Sequence, residues 1–261
     1  MATTKVRYNQ IKTGLPAGGD VNYNDVSLLL LMNGANGSTV FTDSSNSSLS
    51  NSFLGVNIST AESKFGGSSA YFDGGDYLQM SSSGFDFGTG DFTIEFWQKL
   101  NSASIAVNNQ YGILQTSDQA GGFKTSYTSG ILVAFGVNGN GSITSNVAGT
   151  SITSSAGVLT ADSWEHIAIT RYSGTVEVFV NGAQVATGSA SSAISGENLV
   201  IGGYYNTSYT SNGYVDNFRI TKGVARYTSN FSVPTAAFPA FESKEGKELR
   251  VGANGTIELE S

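Results

Sequence analysis

Apolar and polar residues alternate in several short stretches of the chain. The alternation is clearest over residues 92–97, 166–170 and 175–180, where a period of two would place consecutive side chains on opposite faces of a sheet. The run Val26–Met32 is apolar instead except for Ser27, which is typical of a strand in the middle of a two-layer structure. These patterns predict a protein built from β-strands.

Turn-forming residues lie where hairpins would need them. Asn181-Gly182 follows the stretch 175–180, and this dipeptide favours a two-residue hairpin turn. We therefore predict three consecutive antiparallel strands over residues 164–187, with further strands over 199–201 and 214–221.

Composition favours one fold class. The 261 residues include 33 glycines but only 3 prolines, and aromatic residues make up 11% of the chain. Short strands joined by glycine-rich turns, without helical periodicity, favour an all-β fold, and at this length a two-sheet antiparallel jelly-roll β-sandwich. We predict this domain over residues 25–241, preceded by an attachment arm at 1–24. The charged C-terminal tail at 242–261 alternates like a small hairpin over 249–259.

Charge and cysteine content exclude several classes of protein. Charged residues are only 13% of the chain, and 13 Lys and Arg against 20 Asp and Glu give a net charge of −7. That sign opposes binding to nucleic acid and to anionic membranes. Without cysteine, the chain has no disulfide and no thiolate metal site. We find neither a secretory signal nor an apolar run of the roughly 20 residues that cross a bilayer, and we expect a soluble protein made in the cytoplasm.

Five stretches, in order along the chain, carry a family resemblance. They are KFGGSSAYFDGGDYL (64–78), GTGDFTIEFW (88–97), WEHIAITR (164–171), VFVNG (178–182) and GYVDNFRI (213–220). Together they resemble the laminin G-like branch of the concanavalin A-like lectin/glucanase superfamily. The resemblance covers residues 25–241 and implies a two-sheet jelly roll.

Two finer features resemble the version of this domain in structural proteins of tailed bacteriophages, particularly those of marine and cyanobacterial hosts. These are VSLLL (26–30) with FTDSS (41–45), and RITKGVARYT (219–228). The resemblance implies a virion component whose partners are other virion proteins, and we expect a homo-oligomer. Trimeric fibres are common among such proteins, yet the sequence has no coiled-coil heptads to mark a trimer.

The superfamily includes glycosidases, which cleave through paired carboxylates. The laminarinase-type signature needs a second acid two positions after the first Glu, but Trp97 follows Glu95 and Phe179 follows Glu177 at that spacing. A G-x-S-x-G nucleophile elbow is missing, and one histidine cannot form an H-E-x-x-H metal motif. We interpret His166 as a partly buried residue that is hydrogen-bonded within the sheet. We expect no enzymatic activity.

Strict alternation would place Asp216 on one strand face with Tyr214, Phe218 and Ile220, the core side of the sheet. A buried carboxylate must be hydrogen-bonded, paired or bound to metal. One reading makes Asp216 a Ca²⁺ ligand, with Asp76 or backbone carbonyls, because related jelly rolls often hold calcium at the rim. The other makes it a structural carboxylate that accepts N–H bonds from a neighbouring loop. We favour the second, since Ca²⁺ wants about 6 to 8 oxygens and no dense acidic loop is present. No cofactor is expected to be required.

The stretch 202–214 is rich in Tyr, Ser, Asn and Gly, which antibody binding loops also favour. We predict a binding loop here, with loops of similar character over 108–111 and 123–127. Neighbouring proteins and host-surface glycans both suit this chemistry, and we place protein contact slightly ahead. The candidate ligand-binding residues are Tyr204, Tyr205, Asn206, Tyr209, Tyr111 and Tyr127.

The basic residues Arg219, Lys222 and Arg226 are predicted to form a solvated edge that discourages aggregation between strands. For function, the sequence leaves three hypotheses open. The first is a non-enzymatic tail fibre or tail-associated adhesin, which would contact the host surface or neighbouring virion proteins. The second is a capsid decoration protein attached through residues 1–24 or 242–261. The third, a carbohydrate-processing enzyme, requires a carboxylate pair that the sequence does not show.

Overall fold

The computed structural model describes residues 6–7, 18–106, 111–117, 131–135, 140–196, 198–204, 206–241, 248–251 and 257–260. The chain divides into two units, one of Asp25–Phe238 and one that combines Met1–Asn24 with Pro239–Ser261. Within the described ranges, no helix has both the length and the apolar character needed to cross a bilayer.

Strands dominate the regular structure of the described residues. One short α-helix, Ser102–Ala106 (α1), and two 3-10 turns, Tyr23–Asp25 and Ser83–Phe85, accompany them. In chain order the strands are β1 (Val6–Arg7), β2 (Val26–Leu30), β3 (Asn51–Leu54), β4 (Asn57–Ser59), β5 (Ser69–Asp73), β6 (Tyr77–Ser81), β7 (Phe92–Leu100), β8 (Tyr111–Ser117), β9 (Ile131–Phe135), β10 (Ile143–Val147), β11 (Thr150–Thr153), β12 (Glu165–Tyr172), β13 (Thr175–Val180), β14 (Ala183–Ser189), β15 (Asn198–Ile201), β16 (Gly203–Tyr204), β17 (Asn206–Thr210), β18 (Asn212–Lys222), β19 (Glu248–Val251) and β20 (Ile257–Glu260).

The strands predicted from alternation are present. β12, β13 and β14 are the three consecutive antiparallel strands expected over residues 164–187. Asn181 and Gly182 both have positive φ, 50° and 78°, as a two-residue hairpin turn between β13 and β14 requires. β7, β15 and β18 confirm the other predicted strands, and the all-β, antiparallel fold class is confirmed with them.

Two sheets form the unit Asp25–Phe238. The first has nine strands in the order β11-β10-β9-β8-β15-β6-β3, and the pair β16 and β17 joins it through a parallel contact between β17 and β8. The second has eight strands in the order β14-β13-β12-β7-β18-β5-β4. Opposite β7, the first part of β18 pairs with β5 and its last part pairs with β2, so β5 and β2 follow one another along a single long strand.

Side chains from both sheets pack into one core, which defines the structure as a β-sandwich. Alternate residues of strands such as β5, β7 and β12 enter this core, and burying each large apolar side chain contributes about 1.5–3 kcal/mol. We call the face of each sheet that points away from the core its outer face. Buried core residues include Leu28, Phe72, Leu78, Ile94, Phe96, Ile143, Ile167, Val178, Leu199, Ile201, Phe218 and Ile220.

Strict alternation fails in β18, so one prediction from the sequence is wrong. Asp216 pairs with Trp97 and Arg219 pairs with Glu95, so two residues of β18 lie opposite Phe96 alone. This β-bulge includes Asn217, whose φ is +46°. Asp216 therefore lies on the outer face, whereas Phe218, two residues later, lies in the core.

The second unit is a small three-stranded sheet in the order β1-β19-β20. β19 and β20 form the antiparallel hairpin that the sequence predicts over 249–259. The N-terminal segment adds a third strand, with Val6 paired to Leu249 and Arg7 to Glu248. An isolated two-stranded hairpin is marginally stable in water, so this third strand supports the C-terminal hairpin.

Candidate functional site

The two sheets of the sandwich differ in where they place charge. None of the nine strands of the first sheet contains an Asp, Glu, Lys, Arg or His residue. The strands of the eight-stranded sheet carry acidic and basic side chains on both of their faces. These are Asp73, Glu95, Lys99, Glu165, His166, Arg171, Glu177, Asp216, Arg219 and Lys222.

Within the tyrosine-rich stretch 202–214, the described residues form β16, β17 and the beginning of β18, not the loop that we predicted from its composition. β16 and β17 make a narrow hairpin, closed where Gly203 pairs with Thr210 and where the Ser211 N–H donates to Gly202 O (2.8 Å). Gly202 has φ +85°, and a Cβ there would lie 2.2 Å from the ring of Phe72. Only glycine fits this turn, so Gly202 directs the chain from β15 into the hairpin.

The hairpin brings several candidate binding residues to one end of the uncharged sheet. Thr210 of β17 pairs in parallel with Gly112 of β8. Tyr209 and Tyr111 precede these two residues, so they are neighbours on adjacent strands. Tyr204 pairs with Asn206 in the hairpin itself. These four candidates therefore share one region of the nine-stranded sheet. Tyr205 and Tyr127, the other two, lie outside the described residues.

Uncharged polar side chains line the outer face of the same sheet. Gln79 and Asn198 are half-buried and Ser81 is exposed, and the Ser81 hydroxyl donates to Asn198 Oδ1 (2.6 Å). At the other side of the sheet, the hydroxyls of Thr144 and Thr153 are 3.0 Å apart. Such amides and hydroxyls can donate and accept hydrogen bonds without carrying charge. We did not predict this face from the sequence. The signal that could have revealed it is the lack of charged residues in the segments that form these nine strands.

The outer face of the eight-stranded sheet is used differently, because it buries a cluster of charges around Glu95. Arg219 donates from Nε (3.0 Å) and Nη2 (2.7 Å) to Glu95 Oε1, and the Tyr227 hydroxyl donates to Oε2 (2.8 Å). His166 Nε2 lies 3.3 Å from Oε2, and Arg226 Nε lies 3.8 Å from Oε1. Burial alone would raise the pKa of Glu95, but Arg219, His166 and Arg226 outweigh it and lower the pKa to about 2.

Residues 223–238 cover this cluster, and we call them the covering segment. Tyr227 and Phe231 stack on each other with ring centroids 3.6 Å apart, and both contact Phe179 of β13 edge-on. The Arg219 guanidinium lies 4.0 Å from the ring of Phe238, whose N–H donates to Asn217 Oδ1 (2.9 Å). This part of the sheet face is thereby closed to solvent.

The covering segment corrects two predictions. Arg219 and Arg226 do not form a solvated edge, because Arg219 is buried and the Arg226 side chain is largely buried near Glu95. Only Lys222 of the three is exposed. His166 is fully rather than partly buried, since Phe231 and Phe238 pack edge-on against its ring.

Asp216 is held by hydrogen bonds from protein groups. Its Oδ2 accepts the backbone N–H groups of Lys64 (2.8 Å) and Phe65 (3.0 Å), and its Oδ1 accepts from Asn217 Nδ2 (2.8 Å). Burial raises the pKa of Asp216, and these donors limit the rise. The arrangement is that of the structural carboxylate in the second of the two readings above.

The register places Asp76 far from Asp216. Asp73, whose N–H donates to Asp76 Oδ2 (3.0 Å), pairs with Asn212 in β18. Asp216 lies four residues further along β18, a separation of about 13 Å. Among the described side chains, no three His, Asp or Glu residues are grouped to hold a metal ion. Calcium binding stays a prediction of the sequence.

Glu165 is a buried acid that the sequence analysis did not single out. It lies opposite Gln98 in the ladder between β12 and β7, and its Oε1 accepts the Thr160 N–H (2.8 Å). Burial raises the pKa of Glu165 to about 7, although the Thr160 N–H and the side chains of Gln98 and Thr160 act in the opposite direction.

Comparisons with known proteins agree with this architecture. The sequence profile of the concanavalin A-like lectin/glucanases superfamily matches residues 72–226, more than half of the chain. The protein therefore belongs to this superfamily, as the ordered motifs of the sequence indicated. None of the curated proteins is similar to the chain in sequence.

Solved structures with the same fold have distant sequences. The receptor-binding domain of botulinum neurotoxin mosaic serotype C/D is 14% identical, with a TM-score of 0.57 over 79% of this chain and 49% of its own. The binding domain of Paraclostridial mosquitocidal protein 1 is also 14% identical, with a TM-score of 0.56 over 78% of this chain and 50% of its own. The chain thus spans about half the length of these toxin domains.

A third similar structure matches over nearly its whole length. It is domain 4 of AbnA, an extracellular arabinanase of Geobacillus stearothermophilus, solved in complex with arabinotriose. Its identity is 15% and its TM-score 0.56, over 76% of this chain and 92% of that domain. At such low sequence identities, the similarity to these three structures shows a shared fold only.

Proposed function

We propose that this protein is a non-enzymatic binding module whose nine-stranded sheet contacts saccharides of a host cell surface. The observation that carries the proposal is the complete lack of charge in the nine strands, combined with the tyrosine hairpin at one end of that sheet. Neutral sugars present an apolar ring face and a rim of hydroxyls. Aromatic rings with amide and hydroxyl side chains complement both features.

The carboxylates of the other sheet are unsuited to glycoside hydrolysis. A glycosidase needs two acids facing one substrate cavity. Glu95 is fully buried under Tyr227 and paired with Arg219, and Asp216 is held by N–H donors. These contacts support a protein without hydrolytic activity.

The related structures support the same class of function by analogy. The toxin domains are named as receptor-binding or binding domains, and the arabinanase domain holds arabinotriose. The fold therefore serves recognition in other proteins, and in one of them the ligand is an oligosaccharide.

The setting that we propose is a bacteriophage tail fibre or tail-associated adhesin. The support is the resemblance of the segments 26–30, 41–45 and 219–228 to virion structural proteins. Arg219 and Tyr227, both in the segment 219–228, hydrogen-bond to Glu95. This motif therefore helps to attach the covering segment to the sheet.

A capsid decoration role is the second candidate, and one observation favours it. Residues 1–24 and 239–261 form a unit of their own, in which the N-terminal segment pairs with the C-terminal hairpin. Such a unit could attach to a particle while the sandwich stays free. Deletion of both ends should abolish incorporation into particles in this role, and unchanged incorporation would contradict it.

Binding to host polysaccharide tests the main proposal. Immobilised envelope polysaccharide from cyanobacterial and marine bacterial hosts would be titrated with the full chain and with a Tyr204→Ala/Tyr209→Ala variant. Loss of two aromatic contacts should weaken binding at least about tenfold. The control is Tyr172→Ala, which removes an exposed tyrosine from the eight-stranded sheet. An intact wild-type fold that binds no host polysaccharide would contradict the proposal.

A further inference from the structure

Four side chains form a continuous row across the outer face of the eight-stranded sheet. Asn57 of β4 pairs with Tyr71 of β5, Tyr71 pairs with Tyr214 of β18, and Tyr214 pairs with Lys99 of β7. Their chain neighbours enter the core, so these four residues point away from it. We call them the Asn57–Lys99 row.

The row lies beyond the parts of this face that the protein itself covers. The covering segment closes over Glu95 and His166, as described above. The Lys64 ammonium lies 3.9 Å from the ring of Trp97, and Phe65 packs edge-on against the same ring at 5.9 Å. By contrast, the members of the row are only half-buried. The sheet therefore keeps one aromatic strip accessible to solvent.

The chemistry of this strip resembles that of the hairpin on the other sheet. The rings of Tyr71 and Tyr214 have centroids 5.0 Å apart and planes tilted by 38°. Beside them, Lys99 Nζ lies 2.7 Å from Glu62 Oε1. The ion pair offers N–H donors next to carboxylate acceptors, while its net charge is zero. An apolar platform with adjacent donors and acceptors is what a sugar ring with vicinal hydroxyls requires.

Other ligand classes fit this strip less well. A nucleobase could stack on the rings, but single-stranded nucleic acid binds through a positively charged groove, and Glu62 neutralises Lys99 here. An anionic sugar would compete with Glu62 for the same ammonium. A neutral saccharide needs no unpaired charge.

We propose that the Asn57–Lys99 row is a second saccharide site, which binds a neutral sugar ring against Tyr71 and Tyr214. The site lies on the opposite sheet from the tyrosine hairpin and takes the same class of ligand as the proposed function. Two sites on opposite sheets would let one molecule engage two chains of a polysaccharide. Linked sites of this kind raise overall avidity without any new contact.

The test measures binding to neutral trisaccharides, with arabinotriose, maltotriose and laminaritriose as probes. Calorimetric titration would compare wild type with Tyr71→Ala/Tyr214→Ala and Tyr204→Ala/Tyr209→Ala, each checked for an intact fold by circular dichroism. We expect two sites in the wild type and one in each double variant. Tyr172→Ala, an exposed tyrosine outside both sites, should retain two. If the Tyr71 and Tyr214 double variant is unfolded, Lys99→Gln keeps both rings and should weaken one site at least threefold.

The outcomes separate the two proposals. Unchanged stoichiometry and affinity in a folded Tyr71→Ala/Tyr214→Ala variant would overturn the second site and leave the proposed function intact. If the Tyr71→Ala/Tyr214→Ala variant loses all binding while the Tyr204→Ala/Tyr209→Ala variant binds like wild type, the result would support the row and overturn the hairpin site. Failure of every probe to bind wild type would overturn the second site as a site for neutral sugars, whereas the proposed function is decided by the titration of host polysaccharide described above.

Discussion

The outer faces of the two sheets use polar residues in opposite ways. On the eight-stranded sheet, Glu95, Arg219 and His166 are buried, and each contacts an aromatic side chain of the covering segment. On the nine-stranded sheet, no strand carries a charge, and Gln79 is half-buried while Ser81 is exposed. Charge on the eight-stranded sheet thus attaches a segment of the protein itself, whereas the outer face of the nine-stranded sheet carries neutral polar groups, which is why we propose it as the binding face.

Removal of the central carboxylate should have the largest effect. Glu95→Gln leaves the buried Arg219 without its counter-charge, and breaking a buried pair from one side costs about 3–5 kcal/mol. Urea denaturation would measure this loss in the free energy of unfolding. Glu177→Gln, in the same sheet but partly exposed, should change it by no more than about 0.5 kcal/mol. Equal effects of the two substitutions would remove the contrast between buried and surface charge.

Glu165 should make the protein less stable as pH rises from 4.5 to 7. Burial raises the pKa of Glu165 to about 7, so between these values the unfolded chain releases a proton that the folded chain retains. The gap between the two pKa values corresponds to at most about 3 kcal/mol. Denaturation at pH 5 and pH 7.5 should show this decline in wild type and not in Glu165→Gln. The same decline in both proteins would assign it to another group.

Asp216→Asn should cost about 1–3 kcal/mol, because the amide cannot accept all the N–H groups that the carboxylate accepts. Asp162→Asn, at an exposed turn residue, is the matched control. Repeating the measurement in millimolar CaCl₂ separates the two readings of this residue. If calcium stabilises wild type but not Asp216→Asn, then Asp216 is a metal ligand rather than a purely structural acceptor.

The smallest effect on stability is expected on the nine-stranded sheet. Ser81→Lys places a charge at an exposed position of its outer face, and the free energy of unfolding should change by no more than about 0.5 kcal/mol. If this is the binding face, as we propose, saccharide binding should nevertheless fall, because the lysine introduces bulk and a hydrated charge there. Binding that is unchanged in Ser81→Lys would argue that ligands contact only the hairpin end of this sheet.

Local patterns in the sequence predicted some of these elements and missed others for physical reasons. Alternation and the Asn181-Gly182 turn are local, and they predicted β12 to β14 correctly. The bulge at Asn217 adds one residue to β18, and no local pattern shows it, so the face of Phe218 relative to Asp216 was predicted wrongly. Gly, Asn and Ser suggested a loop at 202–214, where β16 and β17 pair with each other and Thr210 bridges to Gly112 of β8.

Contacts between distant segments account for the other misses. Arg219 looks exposed from its neighbours in sequence, and its burial depends on Glu95 and on Phe238 from the covering segment. Similarly, the pairing of Val6 with Leu249 joins the two ends of the chain. The family resemblance implied the sandwich as a whole but not these side-chain contacts.

The central claim is that saccharides contact the nine-stranded sheet and the Asn57–Lys99 row. Mapping the changes in backbone amide chemical shift while the protein is titrated with a saccharide that binds it tests this claim most directly. The account predicts shifts at the tyrosine hairpin and along β6 and β15, with a second group at Tyr71 and Tyr214, and none around Glu95 or the covering segment. Shifts centred on Glu95, Arg226 and Tyr227, with the nine-stranded sheet unaffected, would contradict it.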